Sequence, residues 1–113
     1  MPRTIRERTI FPVAIRELSV VRAVDLTPRI RRVTLTGSEL DAFVSNGFLL
    51  PEFRTAGFDD DVVLVFPYPG EADPVLPIQK DGAIEFRKGR RPLAKTFTVR
   101  RYDKQARELD LDF

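Results

Sequence analysis

From Phe97 to Tyr102 the chain alternates, with Phe97, Val99 and Arg101 set against Thr98, Arg100 and Tyr102. After the polar stretch Asp103 to Arg107 the alternation resumes, with Leu109, Leu111 and Phe113 against Glu108, Asp110 and Asp112. A period of two sends successive side chains to opposite faces of an extended chain, so these segments are two strands of a hairpin and not turns of a helix. The pattern has an earlier counterpart. Leu18, Val20, Val24 and Leu26 fall at even spacing with Arg22 interrupting, and Val33 and Leu35 oppose Arg32, Thr34 and Thr36. Thr27-Pro28 lies between them as a turn, since proline fixes φ and cannot donate to a ladder.

Between the hairpins the signals are weaker. Gly37-Ser38 ends the first hairpin, and Ser38 followed three residues later by Asp41 predicts a variant capping box opening a short helix through Phe43 and Val44. Asn46 to Phe58, with Gly47, Pro51 and Gly57, predicts a loop packing over the core. Val62 to Phe66 is a continuous apolar run between Asp59-Asp60-Asp61 and Pro67-Tyr68-Pro69-Gly70, which predicts a short buried strand. Glu71 to Pro92 is expected to be irregular, with one weak strand at Ala83 to Phe86. Several short strands with hardly any helix favour an antiparallel barrel or sandwich.

At 113 residues, 42% hydrophobic and 32% charged, the chain has enough for one core and too little for separate cofactor and substrate domains. It has no His and no Cys, which removes Ser-His-Asp triads, catalytic thiols, iron–sulfur clusters and nearly all transition-metal sites. Without His the net charge of +2 is nearly constant across neutral pH. The longest uncharged stretch, Ala42 to Pro51, falls well short of the roughly 18 residues that would span a bilayer, and the N-terminus mixes both charge signs unlike a signal peptide. A cytoplasmic protein without membrane insertion is expected.

Three basic clusters stand out: Arg29, Arg31 and Arg32; Arg87, Lys88, Arg90 and Arg91; and Lys95, Arg100 and Arg101. Acidic residues are interleaved and the net charge is small, so a solvated barrel surface is expected and nucleic acid is not. Asp59, Asp60 and Asp61 point alternately to opposite faces of an extended chain and lack the spaced ligands of a calcium loop, so no metal site is assigned. Their expected role is to guard the apolar run behind them.

The segment from Arg91 through Lys95-Thr96-Phe97-Thr98-Val99-Arg100-Arg101-Tyr102-Asp103 into Glu108-Leu109-Asp110-Leu111-Asp112-Phe113 resembles the siderophore-interacting protein family of FAD-dependent ferric-siderophore reductases. In that family a strand of the form R-x-Y-T-V-R-R-Y-D is followed by a short turn and E-L-D-[IL]-D-F. Val20 to Gly37, with Leu26 to Leu35 inside it, is similar to the family's opening hairpin, and Val62 to Pro67 to its third strand. The resemblance covers about residues 14 to 113, and its specificity lies in the joint order of the three segments.

The resemblance implies an all-β, mainly antiparallel Greek-key β-barrel of the ferredoxin-reductase FAD-binding type, incomplete in this chain and with one short helix. It would occupy residues 14–113 behind an N-terminal arm at 1–13, and the nucleotide-binding domain that normally follows would be absent. It further implies FAD as cofactor, NAD(P)H as electron donor in the intact protein, and a ferric siderophore as substrate. The family's phosphate-contacting Arg, flavin-supporting Tyr and hydroxyl near the flavin's reactive edge correspond to Lys95, Phe97 and Thr98, with Thr96 between them and Arg100 as a further candidate. Lys95 keeps the charge but loses the planar fork that matches phosphate, and Phe97 keeps the ring but loses the phenolic hydrogen bond. A second expectation, from another class, is a non-catalytic barrel module that pairs or exchanges strands with a second copy, because Leu109 to Phe113 would be a bare apolar edge.

Overall fold

The two alternating hairpins pair with each other, and that pairing organises the rest of the chain. The computed structural model describes residues 13–55 and 60–113. The expected N-terminal arm as far as residue 12, and Gly57, Phe58 and Asp59, lie outside the described residues. Strands β1 (Ser19–Thr27) and β2 (Ile30–Thr36) form the first hairpin, β8 (Leu93–Asp103) and β9 (Glu108–Asp112) the second. With β5 (Asp61–Phe66) they make one antiparallel sheet in the order β1-β2-β9-β8-β5. Each hairpin turn is held by a side chain. Thr27 Oγ1 accepts the backbone N–H groups of Arg29 and Ile30 at 3.2 and 3.1 Å, and Asp103 Oδ1 accepts those of Gln105 and Ala106 at 3.0 and 3.1 Å.

The expected alternation places the core. Val33, Leu35, Val99, Leu109 and Leu111 are buried on one face of the sheet, with Leu18, Phe53, Val62, Leu64, Phe97 and Tyr102 packed against them. Burying each such side chain fully stabilises by about 1.5–3 kcal/mol. The opposite face carries a ladder of charges across four strands. Glu108 accepts from Arg22 and Arg101, Asp110 from Arg101 and Thr34, and Asp112 from Arg32.

Five expectations are corrected. The helix beginning at Ser38 is a single 3-10 turn, Ser38–Leu40, with Gly37 before it and no side-chain cap, and Phe43 and Val44 belong to a strand. That strand, β3 (Phe43–Ser45), pairs with β4 (Phe48–Leu50) inside the segment expected to be loop. Asn46 and Gly47 between them have φ of 51° and 79°, the left-handed pair that a two-residue hairpin turn demands. Leu109 to Phe113 is no edge: β9 lies between β2 and β8, which removes the feature that suggested self-association through it.

Val62 to Phe66 is half-buried and not buried, because among the described residues β5 is the rim of the sheet and has a partner strand on one side only. Tyr102 also changes sides. Between Val99 and Arg101 the register shifts by one residue, so Arg100 is the extra residue of a bulge and Tyr102 falls on the core face, meeting Phe53 edge-on at 4.9 Å. A similar shift at Val21 breaks the even spacing of β1, whose residues are all exposed.

The weak strand expected at Ala83 to Phe86 is β7 (Ile84–Glu85), paired with β6 (Ile78–Gln79). Gln79 is buried there. Its amide donates to the carbonyls of Val13, Lys80 and Ala83 and accepts the N–H of Ile15 at 2.7 Å, tying residues 13–15 to this hairpin.

Candidate functional site on β8

β8 pairs with β5 in unbroken register, Thr98 opposite Asp61, Phe97 opposite Val62, Thr96 opposite Val63 and Lys95 opposite Leu64. Residues directly opposite share a face, so the five nominated residues divide. Lys95 and Phe97 stand on the core face with Val62 and Leu64, while Thr96 and Thr98 stand on the other with Val63 and Asp61. Arg100, in the bulge, turns to Asp112, its Nε 3.3 Å from the carboxylate.

Lys95 is exposed, lies between Leu93 and Phe97 along its face, and has no ion pair among the described residues. Phe97 is half-buried in an aromatic cluster. Its ring stacks on Phe113 with centroids 4.3 Å apart and planes 29° from parallel, and Phe66 meets it edge-on at 6.5 Å. Thr98 donates its hydroxyl to Asp61 Oδ1 at 3.2 Å. Neither Phe113 nor Asp61 is singled out for the site by the sequence. The signal that finds them is the register of β8 with its two neighbours, which alternation alone does not supply.

Half of the basic-cluster residues pair with carboxylates of the fold. Arg31 pairs with Asp25, Arg32 with Asp112, Arg90 with Glu71, and Arg101 with Glu108 and Asp110. Hydrogen bonds from Arg22 and then Arg101 hold the Glu108 carboxyl down at about 2. Burial pushes Asp110 up, but the hydrogen bonds from Arg101 and Thr34 outweigh it and its value is lowered. Arg32 and Arg101 belong to the outer ladder, whereas Arg31 stands on the opposite face of β2 and Arg90 lies outside the sheet. Lys95, like Arg29, Arg87, Lys88 and Arg91, has no ion pair among the described residues, and it shares one face of β8 with the Phe97–Phe113 stack while the Thr98 hydroxyl stands on the other. A phosphate-bearing aromatic ligand fits the cation and the stack on the first face. A separate apolar cavity of about 510 Å³ runs along β5, lined by Leu18, Phe53, Val62, Leu64 and Leu109 among others, and none of the five nominated residues borders it.

Residues 19–113 match the family model of the siderophore-interacting FAD-binding domain. The chain belongs to that family. It is 35% identical over 98 residues to the NADPH-dependent ferric-chelate reductase of Escherichia coli (strain K12), covering 87% of this chain and 34% of that protein. Its fold is similar to the crystal structure of a siderophore utilization protein from T. fusca, with a TM-score of 0.75 and 34% identity over 93% of this chain and 36% of that one. The chain therefore spans about a third of the length of these relatives. The siderophore-interacting FAD-binding domain is here an open antiparallel sheet with two small hairpins and one 3-10 turn. No helix among the described residues is long and apolar enough to cross a membrane.

Proposed function

We propose that this chain is the flavin-binding part of a cytoplasmic FAD-dependent oxidoreductase that reduces ferric siderophores with electrons from NAD(P)H. Residues 14–113 form the flavin-binding unit, with residues 1–13 as an arm ahead of it. One observation carries the reading: Lys95, with no ion pair among the described residues, stands on the same face of β8 as the Phe97–Phe113 stack. Bound FAD would supply the redox chemistry, accepting hydride from the nicotinamide and giving electrons singly to chelated Fe(III).

The chain's own residues bind and orient. Lys95 offers a point charge to the pyrophosphate, and the absence of a competing carboxylate leaves that charge available. Phe97, fixed by Phe113 and Phe66, offers a rigid apolar support that costs little entropy on binding. Thr98 offers a hydroxyl whose hydrogen is held by Asp61, so its lone pairs face outward as acceptors. Thr96 lines the same outer face, and Arg100 reaches this region only by leaving Asp112.

Titration of FAD and FMN into the purified chain, followed by flavin fluorescence, tests the reading. Saturable binding that prefers FAD is expected, with Lys95→Ala weakening it about tenfold, the scale of a hydrogen bond to a charged group. Thr98→Val should weaken it less. Absence of binding, or binding indifferent to Lys95→Ala, overturns the reading.

A further inference from the structure

The β2–β9 ladder continues one pair past Asp112. The Arg31 N–H donates to the Phe113 carbonyl at 3.1 Å and the Phe113 N–H donates to the Arg31 carbonyl at 2.8 Å. A reciprocal pair of this kind sets two residues directly opposite each other with side chains on one face. Asp25 opposes Arg31 from β1, Phe113 stacks on Phe97 in β8, and Phe97 opposes Val62 in β5. One row, Asp25, Arg31, Phe113, Phe97 and Val62, thus crosses the whole sheet. Lys95 is the next residue of that face along β8.

With strands about 4.8 Å apart and a rise of about 3.4 Å per residue, the Cα atoms of Arg31 and Lys95 lie on the order of 12 Å apart, with the aromatic stack between them. Two long cationic side chains at that separation are both within reach of a ligand lying over the rings, once Arg31 turns from Asp25. A pyrophosphate carries two negative charges, and a lysine ammonium meets them as a single point without the guanidinium fork. Arg31 has that fork. Its present partner is Asp25, at 2.8 Å, and with side chains 61% and 65% exposed this is a surface pair that a more highly charged ligand displaces.

We infer that Arg31 is the second cationic contact for the FAD pyrophosphate, sharing it with Lys95 across the Phe97–Phe113 stack; the inference rests on the flavin reading above. Asp25 then acts as a competitor that holds Arg31 until the ligand arrives.

The test uses the full chain and three probes: FAD, FMN and riboflavin, which has no phosphate. Arg31→Ala should lower FAD affinity about tenfold and leave riboflavin affinity unchanged. Asp25→Asn, which frees Arg31, should raise FAD affinity by about two- to threefold. A merely structural role for the Asp25–Arg31 pair makes both substitutions act in the same direction, so opposite signs support the inference and equal signs overturn it. Equal losses for FAD and riboflavin in Arg31→Ala overturn it too. If Lys95→Ala weakens FAD and Arg31→Ala does not, this inference falls and the flavin reading stands. If the unsubstituted chain binds no flavin, both fall.

Discussion

The ring of Phe97 lies on that of Phe113, 4.3 Å between centroids, so β8 and the continuation of β9 are joined by side chains as well as by their ladder. Phe97 also touches the core through its place opposite Val62. Phe97→Ala should therefore destabilise the chain by about 2–3 kcal/mol, somewhat below a fully buried phenylalanine. Phe97→Tyr should cost under about 1 kcal/mol, because the ring is kept. Urea unfolding of the two variants checks this, and a small effect from Phe97→Ala would mean the stack contributes little.

Glu108 lies between Arg22 and Arg101, whose hydrogen bonds lower its carboxyl to about 2 from an ordinary 4.5. The folded chain thus binds this proton less readily than the unfolded chain, so the contribution is complete above about pH 4.5 and is lost as pH falls toward 2. Asp112, lowered by its hydrogen bond from Arg32, acts in the same direction. The urea midpoint should fall with acidification through that window. Glu108→Gln should flatten part of the slope, and a slope unchanged by it would show that the ladder is not what titrates.

Gln79 is buried, with its amide bonded to the backbone of Val13, Ile15, Lys80 and Ala83. Gln79→Leu keeps the bulk but removes these bonds, leaving the Ala83 carbonyl only its bond from the Lys80 N–H, at a cost of about 2–3 kcal/mol. Faster hydrogen exchange at the Ile15 amide, measured by NMR, should accompany the loss. An Ile15 amide as protected as before would place its partner elsewhere.

A Cβ at Gly37 would stand 2.9 Å from the Glu17 carbonyl oxygen and 2.9 Å from Leu18 Cδ2. The backbone there is extended, so the objection is steric and not conformational. Gly37→Ala should cost about 1–3 kcal/mol, since one of the obstructing atoms is main chain. Thermal unfolding of this variant beside Gly70→Ala, where a Cβ meets nothing within 4 Å, separates crowding from positive-φ strain.

Both large hairpins were legible because their strands are long enough to show a period of two and their turns carry Pro28 or Asp103. The β3–β4 hairpin was missed although Asn46-Gly47 is a strong two-residue turn signal, because strands of three residues show no usable alternation. Bulges leave no mark in composition, so the side on which Tyr102 falls could not be read. The interior position of β9 depends on pairing Leu35 with Leu109, a contact set by the whole sheet and not by local pattern. In the candidate site, the motif on β8 named Lys95, Phe97 and Thr98, but their division between two faces comes from register with β5, and the nearness of Arg31 comes from the ladder of β2 with β9.

The sheet's two rims are unlike. β1 is bent by two register shifts, whereas β5 holds six successive pairs with β8 without a break. A bent rim scatters its free amide and carbonyl groups out of plane, and a straight rim keeps them aligned as a template for another backbone. Among the described residues, β5 therefore presents the straighter template for a further strand and the bulged β1 the poorer one.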